Sequence, residues 1–180
     1  MRIRRATAAD AAALAAFAAH TFRATYGPGA DPATGGGSRT EDVEAYVAAH
    51  FGEAQQQAEL AGATRVTLVA EAAGDGAASN RTLAAYAQLV LPAAASEDAE
   101  LARIYVDARW HGRGVAGVLL AAVVDAARSA GAGRLRLAVY QRNVRAVAFY
   151  RRQGFAVAST GRFRMGAEVQ DDWIMVRPLS

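Results

Sequence analysis

A strand-like stretch, Leu101-Ala-Arg-Ile-Tyr-Val106, runs through a short bend into His111-Gly-Arg-Gly-Val-Ala-Gly117, which opens directly onto a strongly apolar segment, Val115 to Ala130. A strand that enters a helix through closely spaced glycines implies α/β architecture. Glycine lets the backbone take conformations closed to other residues, and the first N–H groups of the helix have no partner within it. Such a helix start favours an anion, through its free amides and through a dipole contribution of about 0.3–2 kcal/mol. The chain is therefore expected to hold a phosphate-bearing ligand at this turn.

Around that unit the periodicities give an alternating order of elements. Arg2 to Arg5 reads as a strand and Ala9 to Ala24 as a helix, with Thr7-Ala-Ala-Asp10 as its start signal. Tyr26 to Gly37, containing GPGADPATGGG, reads as a flexible loop. Ser38-Arg-Thr-Glu41 has capping-box spacing and opens a helix through Phe51, and Glu53 to Ala61 is a further helix. Strands follow at Arg65 to Ala72 and Arg81 to Leu91, joined across Gly74-Asp-Gly76, and at Ala99 to Asp107 after a loop from Pro92 to Asp98. Beyond the helix Val115 to Ala130 come a strand Arg134 to Tyr140, a helix Asn143 to Gln153, and strands Phe155 to Ser159 and Asp172 to Arg177. With 180 residues, no repeats and no linker, one domain over residues 1–180 is expected.

Several function classes drop out. With no cysteine there is no disulfide framework, thiolate metal site or cysteine nucleophile. His20, His50 and His111 are too scattered for a metal site, so no metal is expected. The apolar runs are too short for a bilayer span, and Asp10 interrupts the one stretch that imitates a signal peptide. A cytoplasmic protein with no membrane partner is expected. Residues 1–100 carry 7 Arg against 12 acids, and residues 101–180 carry 13 Arg against 5. The arginines are spread over several elements without interleaved aromatics, so nucleic acid is not an expected partner. The 47 alanines, and the use of arginine for every basic residue, read as codon bias. Trp110 and Trp173 read as packing residues.

Gly112-x-Gly114-x-x-Gly117 imitates a dinucleotide fingerprint, but three features oppose it. Five residues separate Val106 from Gly112, the next strand ends in Gln141-Arg142 rather than an acid, and only one further βα unit follows. The segment instead resembles the acyl-CoA loop of the GNAT N-acetyltransferase superfamily, Gln/Arg-x-x-Gly-x-Gly/Ala, with His111 at the Gln/Arg position. Asn143-Val-Arg-Ala-Val-Ala-Phe-Tyr150-Arg-Arg-Gln-Gly-Phe155 resembles the same family's N-x-x-A-x-x-F-Y-x-x-x-G-F. Thr21-Phe22, the helix Glu41 to Phe51 and the tail Phe163-Arg-Met-Gly-Ala-Glu-Val-Gln-Asp-Asp-Trp-Ile-Met175 resemble the PaiA-type polyamine N-acetyltransferases, with Ala167 and Asp171 in place of the usual Asp and Thr.

The resemblance implies an α/β (α+β) GNAT fold: a mixed, mostly antiparallel sheet of six or seven strands, splayed between the fourth and fifth, with helices on both faces. It implies acetyl-CoA as co-substrate. Ile104, Tyr105 and Val106 would offer backbone groups to the pantetheine arm, with the Val106 N–H as oxyanion donor. His111, Gly112, Arg113, Gly114, Val115, Ala116 and Gly117 would cradle the diphosphate, while Asn143 would bond the pantetheine or phosphate arm and Arg142 and Arg145 would meet phosphates. Tyr150 falls where the family has the general acid that protonates the departing sulfur, and Glu100 where some members carry the general base. Strict alternation would put Glu100, Ala102, Ile104 and Val106 on one face, giving that carboxylate apolar neighbours.

The expected acceptor is a small primary amine, with a polyamine favoured because Glu41, Asp42 and Glu44 make the acceptor-side helix acidic. A peptide N-terminal acetyltransferase and a non-catalytic acyl-CoA-binding module are the alternatives. The oligomeric state stays open, a homodimer included.

Overall fold

The computed structural model describes residues 1–73, 81–94 and 97–179. Seven strands, β1 (Arg2–Arg5), β2 (Arg65–Ala73), β3 (Arg81–Val90), β4 (Asp98–Val106), β5 (Arg134–Tyr140), β6 (Ala156–Met165) and β7 (Glu168–Pro178), form one sheet in the order β1-β2-β3-β4-β5-β7-β6. Every neighbouring pair is antiparallel except β4 with β5, so the expected mixed sheet is found. The helices are α1 (Ala11–Tyr26), α2 (Thr40–His50), α3 (Glu53–Ala61), α4 (Val115–Ser129) and α5 (Val144–Arg152). None is long and apolar enough to cross a membrane. The turn expected at Gly74–Gly76 lies outside the described residues.

Each face of the sheet carries its own core. On one, α4 turns Val115, Leu119, Leu120, Val123, Val124 and Ala127 inward at helical spacing, against Ala85, Ala87, Leu89, Leu101, Leu135 and Leu137. On the other, Leu14, Ala18 and Phe22 of α1 and Val43 and Val47 of α2 pack with Val69, Tyr86 and Met165. This second face also buries a polar network. Glu59 of α3 accepts from Arg103 Nη1 and from Gln88 Nε2, both at 2.8 Å, and Gln88 Oε1 accepts from Arg65 Nη1 at 2.9 Å.

Local signals behave unevenly. Asp10 accepts hydrogen bonds from the Thr7 backbone N–H at 2.7 Å and the Thr7 hydroxyl at 3.0 Å, so the expected start signal forms and a single 3-10 turn precedes α1. Ser38 does not cap α2. It is buried, and its hydroxyl accepts from Gln170 Nε2 at 3.4 Å, while Arg39 occupies the cap position without a side-chain bond. The expected flexible loop is pinned: Gly37 and Ser38 donate to the Gly27 and Tyr26 carbonyls, and Thr34 to the Thr25 carbonyl at 2.9 Å. Strands expected at Phe155–Ser159 and Asp172–Arg177 extend into a long hairpin, turned at Gly166 with φ 59°.

Candidate active site

The sheet is forked at its centre. β4 and β5 pair only through Asp98↔Arg134, Ala99↔Leu135 and Glu100↔Arg136, yet β4 continues to Val106 and β5 to Tyr140. Antiparallel pairing directs the backbone groups of alternate residues to opposite sides. Because the Asp107 N–H donates to the Ala84 carbonyl, Tyr105 also turns its backbone toward β3, opposite Tyr86. The N–H and C=O groups of Ile104 and Val106 therefore face the gap, forming an edge along which an extended amide chain can lie as an added strand. Tyr105, expected to contribute its backbone there, instead places its side chain in the aromatic cluster on the second face.

The gap leads to the glycine turn. Gly112 and Gly114 adopt φ 73° and 77°, conformations that disfavour any other residue, and a Cβ at 112, 114 or 117 would meet nothing within 4 Å. Among the described residues, the N–H groups of Gly112, Gly114, Val115, Ala116 and Gly117 find no backbone acceptor. Five unpaired amides over open space, at the start of a fifteen-residue helix, fit a diphosphate. Beside them His111 Nε2 lies 2.9 Å from the Val106 carbonyl oxygen, and Arg145 Nη1 lies 3.4 Å from His111 Nδ1. A neutral ring protonated on Nε2 satisfies both contacts, donating to Val106 and accepting from Arg145. Arg113 stacks on the Trp110 ring, 5.3 Å from its centroid. The Asn143 side-chain oxygen accepts from the Ala146 N–H at 3.0 Å and so caps α5.

Tyr150, on α5, is buried beside Phe149 and Phe155, with ring centroids 5.3 and 5.6 Å away. Burial, with the Tyr26 phenol near it, pushes its phenol well above the ordinary value, so it is fully protonated at neutral pH. Tyr26 ends α1 and is itself raised, first by burial and then by the Asp172 carboxylate. The 3-10 turn at Pro32–Thr34 covers this end of the gap, because a Cβ on Gly35 would run into the Tyr140 ring. The second-face aromatics form a continuous wall. Phe22 lies 4.7 Å from both Tyr26 and Tyr46, Tyr46 lies 5.3 Å from Phe163, and Phe22 lies 6.4 Å from Tyr105.

Glu100 does not have the expected apolar surroundings. The β3–β4 register passes from Leu89↔Leu101 to Gln88↔Arg103, so a bulge at Ala102 breaks the alternation. Glu100 thereby shares its face with Arg103 and Tyr105 rather than with Ile104 and Val106, and its carboxylate is ion-paired to Arg136 at the fork's vertex. The acids of α2 also diverge. Glu41 is exposed and Glu44 pairs with Arg23 at 2.6 Å on the surface, whereas Asp42 is buried and accepts from the Ala167 N–H at 2.8 Å.

One carboxylate outside the expected site set now stands out. Asp172 pairs with Tyr140 across β5–β7, is 8% exposed, and leaves Oδ1 buried without a hydrogen-bond partner. Burial, with Asp171 adding, pushes its carboxyl up to about 6. The available signal was Gln170-x-Asp172-x-Ile174, which puts two polar residues on the inward-facing register of a strand.

A forked sheet whose free edge ends at an amide cradle is the arrangement expected of an acyl-CoA-dependent acyltransferase. The chain belongs to the GNAT acetyltransferase family, whose model matches residues 39–155. Uncharacterized N-acetyltransferases of Mycobacterium tuberculosis and Mycobacterium bovis are each 34% identical to it over 170 residues, covering 94% of this chain and 98% of theirs. Among solved structures, the PaiA N-acetyltransferase of Thermoplasma acidophilum in complex with coenzyme A matches with a TM-score of 0.77 and 22% identity, over 98% of both chains. A GCN5-related protein of Rhodopseudomonas palustris matches at 0.72 and 20%, over 98% of this chain and 94% of its own. The protein is an N-acetyltransferase that draws its acetyl group from acetyl-CoA.

Proposed function

We propose that the acceptor is the primary amine of a small cationic molecule, of the polyamine class, acetylated directly within a ternary complex. One observation carries this reading. On the helix-covered acceptor side, Asp172 and Asp42 each leave one carboxylate oxygen buried and unpaired, beside a wall of aromatic rings. An ammonium group would satisfy either orphaned oxygen, and aromatic faces attract cations, so this side suits a cationic ligand. The similarity of the tail at Phe163–Met175 to polyamine acetyltransferases agrees with it.

The thioester supplies an activated acyl carbon with a thiolate leaving group. The residues of this chain do the rest. The amides of Gly112 to Gly117, with Arg145 and His111 beside them, hold the diphosphate, and Ile104 and Val106 align the arm along β4. The Val106 N–H donates to the carbonyl oxygen while it carries negative charge. As the acceptor nitrogen forms its bond to the acyl carbon, the carbon–sulfur bond breaks and the sulfur leaves with that electron pair. Tyr150 gives the sulfur its phenolic proton and is restored by the nitrogen's second proton.

The test is thiol release from acetyl-CoA with a panel of spermidine, spermine, amino acids, aminoglycosides and peptides. One thiol per acetylated amine, with a polyamine the preferred acceptor, is the expected result. Acetylation confined to peptide N-termini overturns the reading.

A further inference from the structure

Asp172 is hard to explain as a structural residue. It forms no ion pair among the described residues, and its Oδ1 lies unpaired inside the protein. The groups facing it are the Tyr26 phenol from α1, Tyr140 from β5 and its own neighbour Asp171, while its paired position on β6 is Gly161. None of these is a cation. The Gln141 amide reaches the Asp172 backbone carbonyl, at 3.5 Å, and not its carboxylate. A strand gains nothing from an acid at such a position. The missing partner is therefore one that comes and goes.

The location indicates what it is. Asp172 lies opposite Tyr140, the last residue of β5 at the open end of the fork, and the Tyr26 phenol is near both Asp172 and Tyr150. Glu100, the other carboxylate considered for proton removal, is already neutralised by Arg136 at the vertex.

Building on the acceptor reading above, we propose that the Asp172 carboxylate receives the ammonium group of the acceptor and takes its first proton, freeing the nitrogen lone pair for attack. The N–H bond breaks, an O–H bond forms on Asp172, and that proton passes to solvent once the product leaves. The nitrogen's remaining departing proton follows the Tyr150 route. A carboxyl raised to about 6 is better matched to this task than an ordinary one.

The test measures kcat/KM for the preferred amine from pH 5 to 9, at saturating acetyl-CoA, for the wild type, Asp172→Asn and Asp172→Glu, alongside coenzyme A affinity by calorimetry. The wild type should show an acid limb centred near 6. Asp172→Asn should lose that limb and fall about 10²–10⁴-fold, Asp172→Glu should recover part of the rate, and coenzyme A Kd should stay within about twofold in both. An Asp172→Asn enzyme within about threefold of wild type, with its acid limb intact, overturns the assignment of Asp172 and leaves the amine reading standing. A wild-type enzyme that acetylates no amine in the panel overturns both.

Discussion

Removing the Asp172 charge should make the folded protein more stable as well as less active. The carboxyl rises from 3.8 to about 6 on folding, and each unit is about 1.4 kcal/mol. Because the folded chain holds this proton more tightly than the unfolded one, wild-type stability falls as pH climbs from about 4 to about 6. By pH 8 the whole penalty is in force, about 3 kcal/mol, whereas at pH 4.5 only about 1 kcal/mol is. Asn is nearly isosteric and cannot ionise, so Asp172→Asn should escape the penalty. Its gain over wild type should be about 2 kcal/mol larger at pH 8 than at pH 4.5, a difference in which any packing cost of the amide cancels. In a domain of this size that corresponds to a Tm advantage growing by about 4–8 °C. Urea or thermal unfolding of both proteins at the two pH values measures it. A stability difference independent of pH would refute the reasoning, because it would mean that Asp172 ionises in the folded protein as freely as in the unfolded chain.

Three further outcomes follow from the geometry. Tyr150→Phe should reduce kcat by about 10²–10⁴-fold while coenzyme A affinity, read by calorimetry, is retained. Gly114→Ala keeps the cradle uncrowded but forces a left-handed conformation costing about 1–2 kcal/mol, so coenzyme A Kd should rise about tenfold. Glu59→Ala strands the buried Arg103 guanidinium without its anion and should destabilise the fold by about 3–5 kcal/mol in urea unfolding.

Elements with strong periodicity and clear punctuation could be read from the sequence. Arg2–Arg5, Glu53–Ala61 and Arg134–Tyr140 begin and end as expected, and the Gly112–Gly114 turn leads into α4 because its glycines and the apolar helix are both local signals. Features that depend on a partner strand were not readable. The bulge at Ala102 comes from register against β3, and it reversed the face assigned to Glu100. The β6–β7 hairpin runs well past the strands expected at Phe155–Ser159 and Asp172–Arg177, because pairing with a neighbour sustains it where Gly161, Gly166 and exposed charges interrupt the alternation. Ser38 matched a capping box by spacing, yet the hydroxyl went to Gln170 across 132 residues, a choice made by tertiary packing. For Asp172 the alternation with Gln170 marks an inward-facing acid, but whether a partner meets it there is decided by the packing of other elements.

Amide hydrogen exchange with and without coenzyme A tests the central claim most directly. The amides of Ile104 and Val106 and those of Gly112, Gly114, Val115, Ala116 and Gly117 should become protected together when coenzyme A is added, while Tyr105, already committed to β3, changes little. Protection confined to other segments, with these amides exchanging as before, would contradict the assignment of the fork and its glycine turn as the seat of the acetyl donor.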